Sequence, residues 1–441
     1  MKKIHYIITV SLVLLISCES YTDDLNTDPN QFVTAPAELI IGQAQLGWLQ
    51  LATSNSARYA GIFMNHFTGE DRQYVTVNQY STTAADYDDT WDDAFVDGIA
   101  QAQLAKSLAL DNGNQKLVGI ATICEAAIFG EMTALFGDIP FNEVNSIGEY
   151  STPKFDKQST VLAGVQSLLD DAISKIGDAP ASLYSGNRLS SEATWAEIAY
   201  SLKARYYLIS KDYANALSNA KKGINTPEKS LRSKHTTALN SENLYYQFMV
   251  DERDGYLGAT DSYLVKLLSD VDERNIATPG DSIRFKHYFT PYSDGSGHAP
   301  NTAAGGVFAE TAPMNIISYR EVKLIEAEAA NRTGNASDVS AFNAVRLDLE
   351  AQFEGGSFPA TISSSGSKDL LKEILEEKYI CLIGELQPFH DIRRTGNLLN
   401  VPAKTGSTIP QRFIYPQVEI DTNPNVPTPL PTLFDPTTIN N

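Results

Sequence analysis

Helical spacing of apolar residues, repeated in separate stretches of this 441-residue chain, restricts the fold more than any other feature. Between positions 156 and 177 apolar side chains recur every three or four residues, with Asp156 as a candidate N-cap and Gly177 at the end. This spacing places the side chains along one face of an α-helix. Stretches 93–110 and 369–383 show the same pattern. The chain is therefore predicted to consist of amphipathic helices that bury one face.

Two of the helical patterns are followed at once by a second one. The pattern over 195–209 continues, after a short break, over 213–220, and the pattern over 319–329 is followed by another over 341–345. Two helices joined by a short turn form an antiparallel hairpin. Small alanines at the expected crossings resemble those of tetratricopeptide hairpins, although no strict 34-residue period is visible. The predicted fold class is all-α, with a tetratricopeptide-like scaffold of helical hairpins.

Two long segments, near 69–89 and 251–313, interrupt the helical patterns. Both contain several aromatic residues, and the longer one also contains many Gly, Ser, Asp and Pro residues. We predict that they are irregular, and irregular segments of this length in a compact protein usually carry function. From Val401 onward eight prolines favour an extended tail that wraps the surface.

The N-terminus has the features of an export signal. Lys2 and Lys3 precede an apolar run to Ile16, which is too short to cross a hydrocarbon core of about 30 Å. Leu15-Ile16-Ser17-Cys18 resembles the bacterial lipobox, in which the chain is cut before the cysteine and acylated on it with palmitate-type chains. An ordinary signal peptide is the alternative. The predicted parts are a lipoprotein signal peptide, a lipidated tether and one helical domain, over 1–17, 18–35 and 36–441.

Charge and cysteine content exclude further classes. The net charge is −20, and removal of the two signal lysines makes it more negative. Such a chain repels phosphate backbones and has no basic stripe, so nucleic-acid binding is not expected. No apolar run of eighteen residues follows the signal, which predicts no transmembrane span. Cys124 and Cys381 lie in apolar helical patterns and are expected to be buried thiols, with a disulfide between them left open.

Motifs for catalysis or metal binding are weak. Gly280-Asp281-Ser282-Ile283 resembles the nucleophile block of the GDSL hydrolases, but it lacks the preceding strand and lies late in the chain. No two histidines have the spacing of zinc ligands. The acidic run over 86–93 lacks the glycine and final glutamate of an EF-hand, so a helix N-terminus is favoured over calcium. We predict no enzyme, metal or cofactor; the alternative is a surface-anchored hydrolase acting on glycans.

The C-terminal third carries a family signature. Its parts are Glu377-Lys378-Tyr379-Ile380, Gly384-Glu385, the run Pro388-Phe389-His390-Asp391-Ile392-Arg393-Arg394-Thr395-Gly396, and Arg412-Phe413-Ile414-Tyr415-Pro416. Their order and spacing resemble the closing signature of SusD/RagB-like outer-membrane lipoproteins. Asp272-Glu273-Arg274 and Ser318-Tyr319-Arg320-Glu321 agree with it. Phe389 stands where many members have tryptophan, and Glu273 replaces the usual proline.

The resemblance implies a partner and a location. Members of this family sit as lids on SusC-like, TonB-dependent β-barrel transporters, capture oligosaccharides or peptides and deliver them to the barrel. They are binding proteins, held in the outer membrane by the lipid and exposed at the cell surface. The sequence does not decide between glycan and peptide. We expect Arg393 and Arg394 to be structural, bound to buried carboxylates or to carbonyls at helix C-termini.

Aromatic residues in the two long segments are the candidate ligand contacts. Aromatic rings stack on the apolar faces of sugars, and neighbouring amide groups bind hydroxyls. With 21 tyrosines in the chain, a packing role is the competing interpretation for each, and position in a loop is the discriminator. Trp91 and Trp195 are assigned to the core. The predicted ligand-binding residues are Tyr74, Asn78, Tyr80, Tyr256, Tyr288 and Tyr292.

Overall fold

The structure is a computed structural model that describes residues 35–144, 150–186, 188–269, 274 and 277–441. The predicted signal peptide and the predicted lipidation site, Cys18, lie outside the described residues, as do Asp272 and Glu273 of the family signature.

Helices form most of the described chain, and short strands join the segments between them. The helices, α1 to α17 in chain order, are Ala37–Thr53, Asn55–Phe63, Arg72–Asn78, Asp88–Asp92, Ala100–Asp111, Gln115–Phe136, Gln158–Ile176, Trp195–Ile209, Tyr213–Ala220, Leu244–Tyr246, Tyr263–Ser269, Asp281–Tyr288, Tyr319–Thr333, Asp338–Gln352, Lys368–Cys381, Gln387–Arg394 and Gln417–Thr422. The strands, β1 to β9, are Thr68–Gly69, Ile139–Pro140, Phe155–Asp156, Leu189–Ser190, Leu231–Ser233, Leu257–Gly258, Phe289–Pro291, His298–Pro300 and Asn315–Ile317. A π-helical stretch, Asp93–Ile99, joins α4 to α5 without a break.

Helix α6 is the centre of the core. Every residue from Leu117 to Phe136 is buried, and α1, α5, α7 and α8 pack around it. Among the described residues, α6 is the one helix that is long and apolar enough to cross a membrane. All of its apolar stretch is buried inside the protein. A helix that is apolar on every side is buried in this way. A Cβ at Gly130 would lie 2.2 Å from Cζ of Tyr206, so this glycine lets α8 approach α6.

The predicted helical hairpins are present, which confirms the all-α fold class. Helices α8 and α9 form the first hairpin, and α13 and α14 form the second. Helix α8 begins with a capping box, in which the hydroxyl of Thr194 accepts from the amide of Glu197 at 3.2 Å and the Glu197 carboxylate accepts from the amide of Thr194 at 2.9 Å. Helix α13 ends at Gly334 in the left-handed region, with φ 70°.

The predicted N-cap of α7 is wrong. The Asp156 carboxylate accepts from the backbone amides of Phe141 and Asn142, at 3.2 and 2.8 Å, and so holds the turn after β2. Asp138 bonds the start of α7 instead, since its carboxylate accepts from the amide of Gln158 at 2.9 Å. An aspartate near a helix start can cap the helix or can bond to backbone amides elsewhere. Here β3, which contains Asp156, pairs with β2, and this pairing favours the second role.

The arginines of the family signature are structural, as predicted. Nη1 of Arg394 donates to Oε1 of Glu328 at 2.7 Å, and both side chains are buried. Nη1 of Arg393 donates to the carbonyl of Ala134, near the end of α6, at 3.0 Å. Charged donors thus bind acceptors that would otherwise be buried unpaired.

The irregular segments contain more regular structure than predicted. The segment over 69–89 holds α3 and a short 3-10 turn, Ala84–Tyr87, and the segment over 251–313 holds α11, α12 and the antiparallel pair β7 and β8. Helix α3 begins where the carboxylate of Asp71 accepts from the amide of Arg72 at 2.9 Å, and it buries Tyr74 and Val77. A helix of two turns has too few positions for its period to be recognised in the sequence.

The tail after Val401 packs on the end of α6. The amide of Phe413 donates to the carbonyl of Leu135 at 2.9 Å, the Arg412 guanidinium binds the carbonyl of Phe136, and the hydroxyl of Tyr415 donates to the carbonyl of Asp138 at 2.8 Å. These bonds satisfy carbonyls that have no partner within the helix.

The two cysteines of the domain are separate, buried thiols. Burial raises the pKa of Cys124 to about 12, so this thiol stays protonated at neutral pH. Sγ of Cys381 lies 3.0 Å from Oε1 of Glu377. The disulfide left open by the sequence is not formed in this structure.

Candidate functional site

A cleft of about 580 Å³ lies where three distant segments of the chain meet. We call it the loop cleft. Its walls come from the turn around β1, from the segment around β6 to β8, and from the start of the C-terminal tail. The lining residues are Asn65, Thr68, Glu70, Asn78, Thr260, Asp261, Tyr292, Ser296, Pro402, Ala403 and Lys404.

Backbone pairing holds the first two walls together. Strand β1 pairs antiparallel with β6, and Thr68 lies opposite Gly258. The amide of Ala259 donates to the carbonyl of His298 in β8 at 2.8 Å, which places the β7 and β8 pair beside β6. The third wall is tied on by Asn65, whose Nδ2 donates to the carbonyl of Pro402 at 3.0 Å. The cleft is therefore built on fixed backbone.

Glu70 joins the walls through its carboxylate. Oε1 accepts from the amide of Thr260 at 3.0 Å, and Oε2 accepts from the hydroxyl of Tyr292 at 2.7 Å. Burial and this bond to a carboxylate raise the pKa of Tyr292 well above its ordinary value, so the phenol remains a hydrogen-bond donor at neutral pH. The half-buried ring of Tyr292 is thereby held at the edge of the cleft.

The Glu70 carboxylate occupies the space next to Gly258. A Cβ at Gly258 would lie 2.0 Å from Oε1 of Glu70, so Gly258→Ala must displace this carboxylate and break its bonds to Thr260 and Tyr292. We expect a loss of about 1–2 kcal/mol in the free energy of unfolding, measured by urea denaturation. The matched control is Glu70→Ala: in that background Gly258→Ala should cost much less. Equal costs in both backgrounds would contradict this role of Glu70.

Lys404 brings a cation into the cleft from the tail. Its Nζ donates to Oγ1 of Thr68 at 2.7 Å, and its amide donates to the hydroxyl of Tyr80 at 2.8 Å. Burial lowers the pKa of Lys404 to about 8, and the nearby carboxylates of Asp261 and Glu70 oppose this change. At neutral pH Lys404 is therefore charged in most molecules, and its ammonium group retains N–H groups for a ligand.

The side chains of the loop cleft suit a ligand rich in hydroxyls. Glu70, Asp261 and the amide oxygen of Asn78 are acceptors, whereas Lys404 is a donor and Ser296 can serve as either. A sugar hydroxyl also donates and accepts, so such a mixed lining can bind several of them. The Tyr292 ring adds an aromatic surface on which a sugar ring can stack.

Two of the predicted ligand residues meet in the loop cleft. Asn78 and Tyr292 both line it, although 214 positions separate them in the chain. Oδ1 of Asn78 accepts from the amide of Gly69 at 3.3 Å, and no described residue accepts from its Nδ2. The structure therefore gives these two residues a shared site.

Tyr74 and Tyr80 lie beneath the loop cleft, so the expectation that their rings face a ligand needs correction. They are 2% and 6% exposed and belong to the hydrophobic core. The Tyr74 hydroxyl accepts from Nε of Arg58 at 2.8 Å, and the Tyr80 hydroxyl accepts from the amide of Lys404. Helix α3 turns Tyr74 inward, and Tyr80 follows just after the end of this helix in the left-handed region, with φ 56°. Their contacts support the cleft from inside.

Tyr256 and Tyr288 lie outside the loop cleft. Tyr256 is half-buried, and its ring packs edge-on against Tyr74 at a centroid distance of 6.1 Å. Tyr288 is 3% exposed and lines a second cleft.

Sequence reasoning missed Glu70, Thr260, Asp261, Ser296 and Lys404. All but Lys404 lie in or beside the segments predicted to carry the site, where the prediction rested on aromatic residues. Lys404 belongs to the tail, and nothing in the local sequence shows that the tail returns to residue 68. Polar residues within the long segments were the signal that could have found the first four.

The Gly280 to Ile283 block does not form a hydrolase site in the described chain. Oγ of Ser282 donates to the carbonyl of Pro279 at 3.3 Å. The Asp281 carboxylate accepts from Nη2 of Arg284 at 2.7 Å and from the amide of Thr278 at 2.9 Å. The serine therefore lacks the bond to an imidazole base that would activate it. Among the described residues there is also no cluster of side chains suited to a metal ion.

Comparison with known proteins relates this architecture to one family. Residues 29–416 match the SusD-like family, described as starch-binding and associating with the outer membrane. A SusD/RagB family protein from Bacteroides thetaiotaomicron VPI-5482 is similar in structure, with a TM-score of 0.67 and 19% identity over 92% of this chain and 99% of that one. No curated protein matches the sequence.

Two further solved structures share the fold. A SusD homolog from Bacteroides fragilis NCTC 9343 has a TM-score of 0.69 and 16% identity, over 92% of this chain and 99% of that one. A chitin-binding SusD homolog from Flavobacterium johnsoniae has a TM-score of 0.68 and 14% identity, over 92% of this chain and 97% of that one. At such identities the likeness concerns the fold.

Proposed function

The chain belongs to the SusD-like family, and on this premise we propose that it is a surface lipoprotein that captures oligosaccharides at the loop cleft. The observation that carries the proposal is the lining of the cleft. It combines carboxylate, amide, hydroxyl and ammonium groups around one half-exposed tyrosine ring. Hydroxyl-rich ligands with an apolar ring face fit this combination.

Glycan is favoured over peptide as the ligand. The family description names starch, and one structural neighbour is named as chitin-binding. Both ligands are neutral sugars, and neither needs a cationic or anionic pocket. The loop cleft has opposite charges within reach of one another, Glu70 and Asp261 against Lys404, and so carries no strong excess of either sign. Peptide capture remains the alternative that the binding experiment must test.

Delivery to a transporter extends the proposal. The lipid at Cys18 would hold the protein on the outer membrane, exposed at the cell surface, where a SusC-like TonB-dependent barrel would receive the sugar. We propose that the chain binds without catalysis; the serine of its hydrolase-like block, Ser282, bonds to the carbonyl of Pro279 and lines neither cleft. Copurification of a barrel with the tagged lipoprotein from outer membranes tests this part; recovery of the lipoprotein without any barrel would contradict it.

Calorimetry on the loop cleft tests the central claim. We expect the lipoprotein, in a detergent without sugar groups, to bind maltooligosaccharides or chitooligosaccharides, and Tyr292→Ala to weaken binding at least tenfold, about 1.4 kcal/mol. The reason is loss of the stacking ring and release of Glu70. Lys404→Met should also weaken binding, because it removes an ammonium donor that lines the cleft.

A control keeps the calorimetry specific. Tyr150→Ala removes an exposed tyrosine that does not line the loop cleft, and it should leave the affinity unchanged. Binding to unrelated peptides and to neither sugar series would contradict the glycan proposal. Full sugar binding by both Tyr292→Ala and Lys404→Met would place the site elsewhere on the protein.

A further inference from the structure

A second cleft, of about 550 Å³, lies apart from the loop cleft. No described residue lines both. Its walls come from β5 and β9, from the end of α12, from the start of α13, and from α14 and the turn after α15. Because Arg232 and Arg320 both line it, we call it the arginine cleft.

The two guanidinium groups of the arginine cleft keep unused donors. Arg232 donates from Nε to Oδ1 of Asn315 and from Nη2 to the carbonyl of Pro227, both at 3.2 Å. Arg320 donates from Nε to Oδ2 of Asp348 at 2.5 Å and from Nη2 to the Asp348 carbonyl at 3.4 Å. Within the described ranges, neither Nη1 donates to a protein acceptor. Each carries two N–H groups for a ligand.

The charge of Arg232 is poorly compensated. Its bonded acceptors are neutral, and burial together with the like charge of Arg320 lowers the pKa of Arg232, against the opposite effects of Asp348 and Glu228. Asp348 is bonded to the other arginine. An anion placed between the two guanidinium groups would relieve their repulsion. It would also accept charge-assisted hydrogen bonds from Arg232, in place of the bonds to water that Arg232 loses on burial.

Further donors line the same cavity. Tyr288 is 3% exposed, yet its hydroxyl makes no hydrogen bond to any residue in the described part of the chain. The same holds for the hydroxyl of Tyr319, which is 9% exposed. Burial of Glu385 and the nearby charge of Glu321 raise the pKa of Glu385 to about 8, so at neutral pH this carboxyl is mostly protonated and can donate. Neither tyrosine hydroxyl is among the buried polar atoms that lack a partner, so both open onto the cavity, where they can bond to a ligand.

We propose that the arginine cleft binds the carboxylate of an acidic sugar, a uronic acid residue. A carboxylate has two oxygens, and the unused Nη1 groups of Arg232 and Arg320 can each donate a charge-assisted bond to one of them. The rings of Tyr288 and Tyr319 and the side chain of Ile383 offer apolar surface to a pyranose ring. A cavity of about 550 Å³ has room for one or two sugar residues.

This site is independent of the proposed capture of neutral sugars. It shares no described lining residue with the loop cleft, and it selects a charged ligand, which the loop cleft does not require. The proposal for the loop cleft and the proposal for the arginine cleft can therefore be tested, and contradicted, separately. A protein with both would accept glycans that carry acidic residues among neutral ones.

Matched ligands and variants test the proposal. Calorimetry on the detergent-solubilised lipoprotein would compare digalacturonate with its neutral methyl ester. We expect binding of the acid to be at least tenfold tighter than binding of the ester. Arg232→Gln should weaken binding of the acid at least tenfold, and Tyr288→Phe severalfold. Within the described chain Arg232 forms no ion pair and its two bonds, to Asn315 and to the carbonyl of Pro227, are both 3.2 Å long, so thermal melting should show that both variants remain folded.

Two control variants show whether the acid binds at the arginine cleft. Arg253→Gln removes an exposed arginine outside both clefts and should leave binding of digalacturonate unchanged. Tyr292→Ala should leave it unchanged as well, although it weakens neutral sugars at the loop cleft. The proposal is overturned if the acid and the ester bind equally, if neither binds, or if Arg232→Gln has wild-type affinity. Tight binding of a peptide with a free C-terminus, but not of digalacturonate, would overturn the assignment to sugar.

Discussion

Replacement of Glu377 by alanine is expected to destabilise the protein by about 3–5 kcal/mol. The Glu377 carboxylate is fully buried, and it accepts from Nη1 of Arg346 at 2.6 Å and from Nη1 of Arg284. These arginines belong to α14 and α12, so one carboxylate of α15 joins three helices. Without it, the buried guanidinium group of Arg346 loses its counter-charge and that of Arg284 keeps only Asp281, and this cost exceeds the worth of the ion pairs themselves.

Urea denaturation of wild type and Glu377→Ala measures this loss. The control is Asp171→Ala, which removes an exposed pair with Lys175 on α7 and should cost about 0.5 kcal/mol or less. Glu377→Gln should fall between the two, since it keeps the shape and loses the charge. A cost for Glu377→Ala as small as that of Asp171→Ala would show that the buried cluster does not hold the helices together.

Replacement of Glu385 by glutamine is expected to change how stability depends on pH. The pKa of Glu385 is raised from 4.5 to about 8, chiefly by burial, so the folded state favours the protonated carboxyl. Its contribution to stability is fully present below pH 4.5 and is lost as the pH rises through 8. A displacement of this size corresponds to a change on the order of 5 kcal/mol. Glutamine cannot ionise, so the Glu385→Gln variant should not lose this stability as the pH rises.

The free energy of unfolding at pH 5 and pH 8 measures this difference. Wild type and Glu385→Gln should have similar stability near pH 5, and the variant should be more stable by several kcal/mol at pH 8. The carboxyls of Glu131 and Glu328 do not interfere, because their pKa values are lowered to about 2 and their contributions are lost only as the pH falls from 4.5 toward 2. Parallel curves for the two proteins would contradict a protonated Glu385.

The helical hairpins could be predicted from the sequence because their signal is local. In α8 and α13 the apolar positions repeat over four turns, which is long enough to identify the buried face. Helix α3 has seven residues, and its inward face becomes visible only when Tyr74 packs against Phe248 and Tyr256. Short elements are therefore decided by their tertiary neighbours.

The candidate site was only partly predictable, since its residues are brought together by long-range contacts. Asn78 and Tyr292 could be found by residue type and position in a loop. The same criteria also chose Tyr74 and Tyr80, because the sequence of a loop does not show which side of it faces the core. For Arg394 the structural role was correctly predicted, but its partner Glu328 lies 66 positions away and could not be named.

The tail makes the proposed ligand capture depend on the last tenth of the chain. Bonds from Asn65 to Pro402 and from Lys404 to Thr68 span 337 and 336 positions. Synthesis and export proceed from the N-terminus, so the proposed lipid anchor exists long before the loop cleft can close. A chain cut by a protease ahead of Pro402 would stay on the membrane and occupy space there, yet it would hold no finished cleft. An intact C-terminus is thus what distinguishes a working receptor from a tethered fragment.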